Sequence, residues 1–404
     1  MAKLIAQIQS FNAGRDPLRL ALKYQRMRSN AFVFLRGSCH LFYAALPHQG
    51  VLAKAPLAWV CGDLHLENFG SYKGDNRLTY FDLNDFDEAV LAPVSWDLVR
   101  LLSSILVAGP SMHLKAAQAQ QLVRHGLSTY TAALAQGHSR WVERATAQGL
   151  VGDLLHALGD RKRAEFLATR TQGPVAHRRL IIDQRKTWPV TDKQRERVTQ
   201  LVCKATAPSL DPDRPDFFKV LDVVGRAAGT GSLGLARYAV LVQGKGGPAG
   251  HYLLDLKQSI PSSLLPRLKV AQPDWPSEGQ RVVTLQRRMQ AVSPAFLHAI
   301  KDGKRAWQLR ALQPTDDRVN LGDKALSLAD LAGVIEVMAQ TTAWAHLRSS
   351  GRQGSANADE LIDFAQRPKW PGALIEAAHA MADRVQRDWL TYAQAFDDGA
   401  LALA

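Results

Sequence analysis

Residues 229–234 read Gly-Thr-Gly-Ser-Leu-Gly, and the residues after them, Leu235-Ala-Arg-Tyr-Ala-Val-Leu-Val242, have the β-branched and aromatic character of a strand. A G-x-G-x-x-G that opens a helix belongs to dinucleotide-binding folds, whereas one held between two strands can cover phosphates. Glycine suits that task because a chain without Cβ lets backbone N–H groups close over phosphate oxygens. The pattern alone is weak, since plain loops also contain it. Its flanks narrow the choice. Phe218-Lys-Val-Leu-Asp-Val-Val-Gly225 precedes it, and Gly244-Lys-Gly-Gly-Pro-Ala-Gly250 turns the second run into a third, His251-Tyr-Leu-Leu-Asp-Leu-Lys257. The expectation is an antiparallel meander with the glycine loop between its first two strands. Lys257 then stands where a lysine can pair with α/β-phosphates, although an isolated lysine is usually a surface residue. A helix is predicted from about Glu278 to Ala291, a strand around Trp307–Arg310, and helices from Ser327 onward. Glu278 is the expected acidic partner of Lys257, or else an N-terminal acid that favours the helix dipole.

The N-terminal half reads differently. Apolar residues recur at helical spacing over Pro17–Asn30 and Ser38–Leu46, and the intervening run from Phe32 ends at Gly37, a residue suited to a sharp turn. Leu57-Ala-Trp-Val-Cys61 and Leu78-Thr-Tyr-Phe-Asp82 are strand-like, with Lys73-Gly-Asp-Asn76 as a turn between them, which predicts a hairpin-like unit. A helical tract follows over Trp96–Ala108 and from Met112 to about Leu158, closing with Arg161-Lys-Arg163. The stretch 170–215, rich in Arg, Pro and Asp, reads as a connector and places the domain boundary.

Two loops of this half could carry chemistry. Cys61-Gly-Asp-Leu-His-Leu-Glu-Asn68 sets Asp63 and Asn68 at the spacing D-x-x-x-x-N directly after an apolar strand. In phosphoryl transfer a carboxylate so placed accepts the attacking hydroxyl's proton, while the amide oxygen ligates Mg²⁺. The competing reading is a capped turn. Phe81-Asp-Leu-Asn-Asp-Phe-Asp-Glu88 crowds Asp82, Asp85, Asp87 and Glu88 together, a density that repels itself unless a hard cation sits among the oxygens or the loop is simply solvated. His65 suits a brace for its loop better than a metal ligand. Arg36 could reach a phosphate or pair with an acid of residues 82–88. Trp96 and Trp344 are core candidates.

Taken together these parts resemble the protein-kinase-like superfamily. The loop Gly62–Asn68 is similar to the H-G-D-x-H-x-x-N of its aminoglycoside and choline phosphotransferase branch, with Cys61 in place of the first histidine. Asn84-Asp-Phe-Asp-Glu-Ala89 and Trp96-Asp-Leu98 look like that branch's I-D-F-x-x-A and Y-D-L-A. The resemblance implies Asp63 as the catalytic acid–base group, Asn68 and Asp85 as Mg²⁺ ligands, and Asp97 as a buried support of the catalytic loop. It also implies Gly229, Thr230, Gly231, Ser232, Gly234 and Lys257 as the ATP-binding set. The order of the parts departs from the family, because the catalytic and metal loops precede the glycine loop and lysine. The cyclic order is kept, and circular permutation is tolerated where termini lie close together on the surface. The implied fold is α+β: a circularly permuted, kinase-like two-lobed protein with a helical catalytic lobe and a small antiparallel β lobe. Catalytic-lobe elements would span 1–205, the nucleotide-binding lobe 206–315, and helices completing the catalytic lobe 316–404. Over nearly its whole length the chain also resembles a bacterial family of unknown function, the domain of unknown function 2252. Phe34-Leu-Arg-Gly37, Gly62–Gly70, Asn84–Glu88, Trp96–Leu101, Gly229–Gly234, Gly279–Val283, Gln286-Arg287 and Ala345-His346 carry that resemblance. Gln258 and Thr284 differ from residues frequent in that family and leave the partner of Lys257 open.

Composition sets the remaining bounds. Hydrophobic residues at 46% argue against disorder, and the net charge of +13 favours acidic partners such as nucleotides or nucleic acid. Three cysteines far apart, Cys39, Cys61 and Cys203, exclude a disulfide framework and suit a reducing cytoplasm. No export signal is evident, and the most apolar stretch, Leu98–Ala108, is too short to span a membrane, which needs roughly 20 residues. The expected function is ATP- and Mg²⁺-dependent phosphoryl transfer to a small-molecule hydroxyl. The alternatives are nucleotidyl transfer at the same site, or a silent module that binds nucleic acid through the basic runs 161–163 and 178–197. A dinucleotide-dependent oxidoreductase would need a helix directly after Gly234.

Overall fold

In the computed structural model, which describes residues 1–47, 49–314 and 317–401, the chain starts with four helices that bury one apolar face each. These are α1 (Ala2–Phe11), α2 (Pro17–Arg28), α3 (Ala31–Gly37) and α4 (Cys39–Ala45). The run before Gly37 is thus helical, because Asn30 caps it by accepting from the Val33 N–H at 2.9 Å and Phe34 and Leu35 are fully buried. Four short strands follow: β1 (Leu57–Val60), β2 (Phe69–Lys73), β3 (Thr79–Leu83) and β4 (Val90–Pro93). The turn after Lys73 joins β2 to β3, while β1 pairs with β4 and not with the 78–82 run. Partner choice was illegible because all four strands are almost wholly buried and show no alternation.

Next come α5 (Ser95–Ala108), α6 (Ala116–Ala135), β5 (Val142–Glu143), α7 (Gly149–Asp160) and α8 (Arg163–Ala168). The tract expected to be helical from Met112 to Leu158 is broken between α6 and α7, where β5 adds to the edge of β3. The basic segment then forms β6 (Thr171–Gln172) paired with β7 (Arg179–Leu180), β8 (Thr187–Trp188) and α9 (Asp192–Thr206). The predicted meander is present as β9 (Val220–Arg226), β10 (Arg237–Val242) and β11 (Tyr252–Ser259), followed by α10 (Glu278–Met289), β12 (His298–Asp302) and β13 (Arg305–Ala311). All pairings are antiparallel in a six-stranded sheet of order β12-β13-β11-β10-β9-β8. Val198, Leu201 and Val202 of α9 fill a core with Val223, Val240, Leu254, Leu256 and Leu309 of the sheet. Helix α10 sits so close to β13 that a Cβ on Gly279 would come within 2.5 Å of the Trp307 carbonyl.

The chain closes with α11 (Leu328–Ser349), α12 (Ala358–Gln366) and α13 (Trp370–Asp397). Helix α13 packs on α5, α3, α2 and α1, and α11 packs along α6. The Tyr392 hydroxyl donates to the Tyr24 carbonyl at 2.8 Å, and Arg28 meets Asp397, so both ends of the chain build one helical core. Trp96 and Trp344 belong to that core. The fold is α+β. The 315/316 boundary lies outside the described residues, and β8 and α9, which start before residue 206 and reach no further than Thr206, pack with the sheet. No helix among the described residues is long and apolar enough to cross a membrane.

One packing contact has a pH signature. His40 of α4 stacks on Phe11 at 3.9 Å, and burial, with Lys23 and Arg15 nearby, lowers its pKa from 6.5 to about 3. The unfolded chain therefore binds a proton that the folded chain refuses between these values. Stability contributed by neutral His40 is complete above pH 6.5 and falls by about 1.4 kcal/mol per unit as the pH drops towards 3. Replacing His40 by Phe is expected to shrink the stability difference between pH 6.5 and pH 5, measured by urea unfolding, by about 2 kcal/mol. An unchanged difference would refute the assignment.

Candidate active site

The chain leaves buried β1 through Gly62, whose φ of +84° and whose approach to the Glu88 carbonyl, 2.5 Å from a hypothetical Cβ, leave no room for a side chain. Asp97, in the first turn of α5, accepts from the Cys61 and Gly62 N–H groups at 2.7 and 2.8 Å. Its carboxylate also meets His346 Nε2 at 3.2 Å, and His346 Nδ1 lies 2.9 Å from the Tyr130 hydroxyl. The Tyr43 hydroxyl donates to the Gly62 carbonyl. These buried groups hold the loop from behind, so Asp97 is a support and does not line the cleft.

Asp63 faces the cleft with its side chain 22% exposed. Its Oδ1 accepts from Arg100 Nη2 at 2.5 Å and Nε at 3.1 Å, and Arg100, wholly buried, also donates to the Leu35 carbonyl. The other oxygen, Oδ2, has His65 Nε2 at 3.9 Å. His65 Nδ1 accepts from the Glu67 N–H, which places the ring proton on Nε2; burial and then Arg36, Arg100 and Arg318 push its pKa down, so it stays neutral. Its role is to brace the loop. Asn68 is buried, and its Nδ2 donates to the Asp63 and Asp85 carbonyls at 3.0 and 3.2 Å. That leaves Asn68 Oδ1 as a buried acceptor without a hydrogen bond, the kind of oxygen a hard cation takes.

Lys257 reaches this cleft from β11. Its Nζ lies 3.4 Å from both Asp85 oxygens and contacts Asp87, whose other oxygen accepts from Gln308 at 2.7 Å. The partner expected at Glu278 is not used: as the first residue of α10, Glu278 bonds Arg281 one turn on, at 2.7 Å. Desolvation opposes ionisation of Asp85, but Lys257, Arg310 and Arg237 outweigh it and hold its carboxyl below the usual range. Desolvation and the charge of Asp85 push Asp87 the other way. The remaining acids of that run turn elsewhere. Asp82 bonds the Ala291 and Leu83 N–H groups and Arg348, and Glu88 is taken by Ser262 and Ser263. Among the described residues no three His, Cys, Asp or Glu side chains form a metal-holding group, so a cation here would need other oxygens, as Mg²⁺ does when it bridges substrate phosphates.

The glycine loop closes the cleft from the other side. Gly229 and Gly234 have φ of +73° and +88°, and Gly229, Thr230, Gly231 and Ser232 line the same cleft as Asp63, Asn68 and Asp85. Arg15 donates to the carbonyls of Gly231 and Leu233 at 2.7 and 2.9 Å, and buried Lys23 donates to Gly231 at 3.0 Å. With these carbonyls turned towards α2, the loop is held down by the N-terminal helices.

The model of the family described as "Uncharacterized protein conserved in bacteria (DUF2252)" matches residues 15–395. The chain belongs to that family. No curated protein and no solved structure matches it.

Two features of this DUF2252 chain escaped the sequence reading. Beneath the glycine loop, buried Asp255 bonds Arg226 at 2.8 Å and Arg237, and Arg310 lies close by, donating to the Asn84 carbonyl. Asp255 stands two residues before Lys257, so period-2 alternation already put both on one face of β11. Arg36 bonds Glu67 at 2.8 Å instead of an acid of residues 82–88, because α3 ends beside the loop 62–68. A second cavity of about 650 Å³ shares Gly229 with the cleft and is lined by Val224, Ala239, Leu253 and Leu312 together with Arg161, Arg170, Lys186 and Arg226.

Proposed function

We propose that this DUF2252 protein is an ATP- and Mg²⁺-dependent phosphotransferase with a circularly permuted kinase-like arrangement. One observation carries the reading: Asp63, Asn68, Asp85 and the glycine loop line one cleft, and Lys257, nearly 200 residues after Asp63, contacts Asp85 at its wall. A glycine loop between two strands, a lysine on the next strand and a helix after it is the order of a kinase's phosphate-holding half. The packing of α13 on the N-terminal helices and of α11 along α6 supplies the spatial neighbourhood that the permuted order requires. The cavity next to Gly229, where Val224, Ala239, Leu253 and Leu312 lie among charged residues, suits a base, with the polyphosphate running under the loop towards Asp85.

In this reading Lys257 holds α/β-phosphate oxygens, exchanging part of its contact with Asp85 and Asp87. Asn68 Oδ1 and the half-exposed Asp85 carboxylate would hold Mg²⁺, which neutralises charge on the transferring phosphoryl group. The acceptor hydroxyl loses its proton to Asp63 Oδ2 and its oxygen bonds the γ-phosphorus. The bond to the β–γ bridging oxygen breaks with its electron pair leaving on ADP. The second reading is nucleotidyl transfer at the same site, in which the glycine loop and the Asn68–Asp85 pair would hold ATP in the opposite sense. ATP labelled at the γ or the α phosphorus separates them. Mg²⁺-dependent transfer of γ label is expected; transfer of α label would make the protein a nucleotidyl transferase. Failure to bind Mg·ATP, with affinity only for nucleic acid that collapses in salt, would leave the binding-module reading.

A further inference from the structure

Glu67 lies on the catalytic loop between Asp63 and Asn68, and one oxygen of it, Oε2, serves two guanidinium groups. Arg36 Nη2, from the end of α3, is 2.8 Å away, and Arg318 Nη1, from the segment after β13, is 3.1 Å away. Two cations on one carboxylate leave a positive charge unmatched. The strain shows in Arg318, whose pKa is lowered first by burial and next by the charge of Arg36. The Arg36 side chain is only 12% exposed, and its Nε is a buried donor with no hydrogen-bond partner. Both arginines line the cleft beside Asp63. The third guanidinium there, Arg15, is spent on loop carbonyls, and the acids are committed: Asp63 to Arg100, Asp85 and Asp87 to Lys257, Glu88 to serines. The uncompensated charge therefore belongs to the Arg36–Arg318 side, and both side chains line the cleft that a molecule approaching Asp63 would enter.

We infer that Arg36 and Arg318 form an oxyanion-binding wall of the acceptor site, so that the molecule phosphorylated is a hydroxyl compound carrying a carboxylate or a phosphate. The inference rests on the phosphotransferase reading and names its substrate class. A planar guanidinium is matched to such oxyanions, and a second one beside it disfavours cationic acceptors by like-charge repulsion. Glu67 tunes the wall: it holds the two arginines in place while the site is empty of substrate and offsets part of their charge.

The test uses the full chain and three matched probes, glycerol, glycerate and glycerol 3-phosphate, with binding measured by calorimetry and thermal shift, with and without Mg·ADP. Glycerate or glycerol 3-phosphate is expected to bind and glycerol not to; which of the two wins tells carboxylate from phosphate. Arg36→Gln and Arg318→Gln should each weaken oxyanion binding roughly 10–100-fold, the range for losing a hydrogen bond to a charged group, while Mg·ADP affinity stays within about twofold. Glu67→Gln removes the competing carboxylate and should tighten oxyanion binding, a gain that a misfolded variant cannot produce. The inference is overturned by equal binding of all three probes or of none, by wild-type oxyanion affinity in both arginine variants, or by loss of Mg·ADP affinity in step with it, which would assign the arginines to the nucleotide. Since oxyanion binding is read without nucleotide and Mg·ADP binding without acceptor, failure of the wall and failure of the phosphotransferase reading give different results.

Discussion

Asp63→Asn is expected to lower ATP-dependent transfer roughly 10²–10⁴-fold, the usual worth of a positioned general base, while Mg·ADP affinity is retained. Asparagine keeps the size of the side chain and can still accept from Arg100, but it cannot take the acceptor's proton. Asp85→Asn should behave differently. It removes a counter-charge of Lys257 and the proposed cation ligand, so the Mg²⁺ dependence of nucleotide affinity should vanish together with turnover. Because Arg100 is wholly buried, Asp63→Asn leaves its charge uncompensated, and the protein should also melt earlier. Rates must therefore be normalised to folded protein, with Mg·ADP binding as the measure. Turnover equal to wild type in both variants would end the phosphotransferase assignment.

The largest effect on stability is expected at Asp255. Burial opposes its ionisation, but Arg237 and then Arg226 outweigh that cost and hold its carboxyl far below the usual range. Asp255→Asn leaves buried Arg226, Arg237 and Arg310 without their shared carboxylate, and removal of one partner from a buried ion pair typically costs about 3–5 kcal/mol. The sign with pH follows from the depressed pKa: the wild-type contribution is complete above the unfolded carboxylate value, near pH 4, and is lost as the pH falls below it. The variant should lack that part of the acid dependence. Urea unfolding at pH 7 measures the first quantity, and its change between pH 5 and pH 2.5 measures the second. If Asp255→Asn fails to fold, the double variant with Arg226→Met should recover part of the loss, since it removes one of the stranded charges. A loss under about 1 kcal/mol in the single variant would show that the cluster is hydrated and of little account.

Much of the candidate site was legible because its signals are local. Asp63 and Asn68 sit five positions apart after an apolar strand, and the glycine loop is marked by the strand-like residues on both sides of it. The helical reading from Ser327 and the meander over 218–257 rested on periodicity, which reports the element and its buried face directly. Glu278 misled for a physical reason. An acid at a helix start has two ways to be satisfied, and Arg281, one turn along, is reached with far less ordering than a lysine on another strand. Asp87 answered to Lys257 instead, although nothing in its own run distinguished it from Asp82, which is buried against Arg348 on the other side. In the same way, strong alternation was missing from β1 and β4, so their pairing could not be read.

The sequence alone determined the kinds of group available, the strands and helices that carry them, and the family to which the chain belongs. The tertiary structure decided which groups meet. Lys257 and Asp85 are 172 positions apart, and Arg318 and Glu67 are 251 apart, yet each pair lies within hydrogen-bonding reach or close to it. Periodicity is a property of neighbouring residues and survives in the sequence; an ion pair depends on a few ångströms in space, set by how helices from both chain ends pack around the sheet's cleft. The glycine loop was therefore visible from its residues, whereas the lysine's acids, the pairing of Arg36 and Arg318 on Glu67 and the buried Asp255 cluster exist only once the chain is folded.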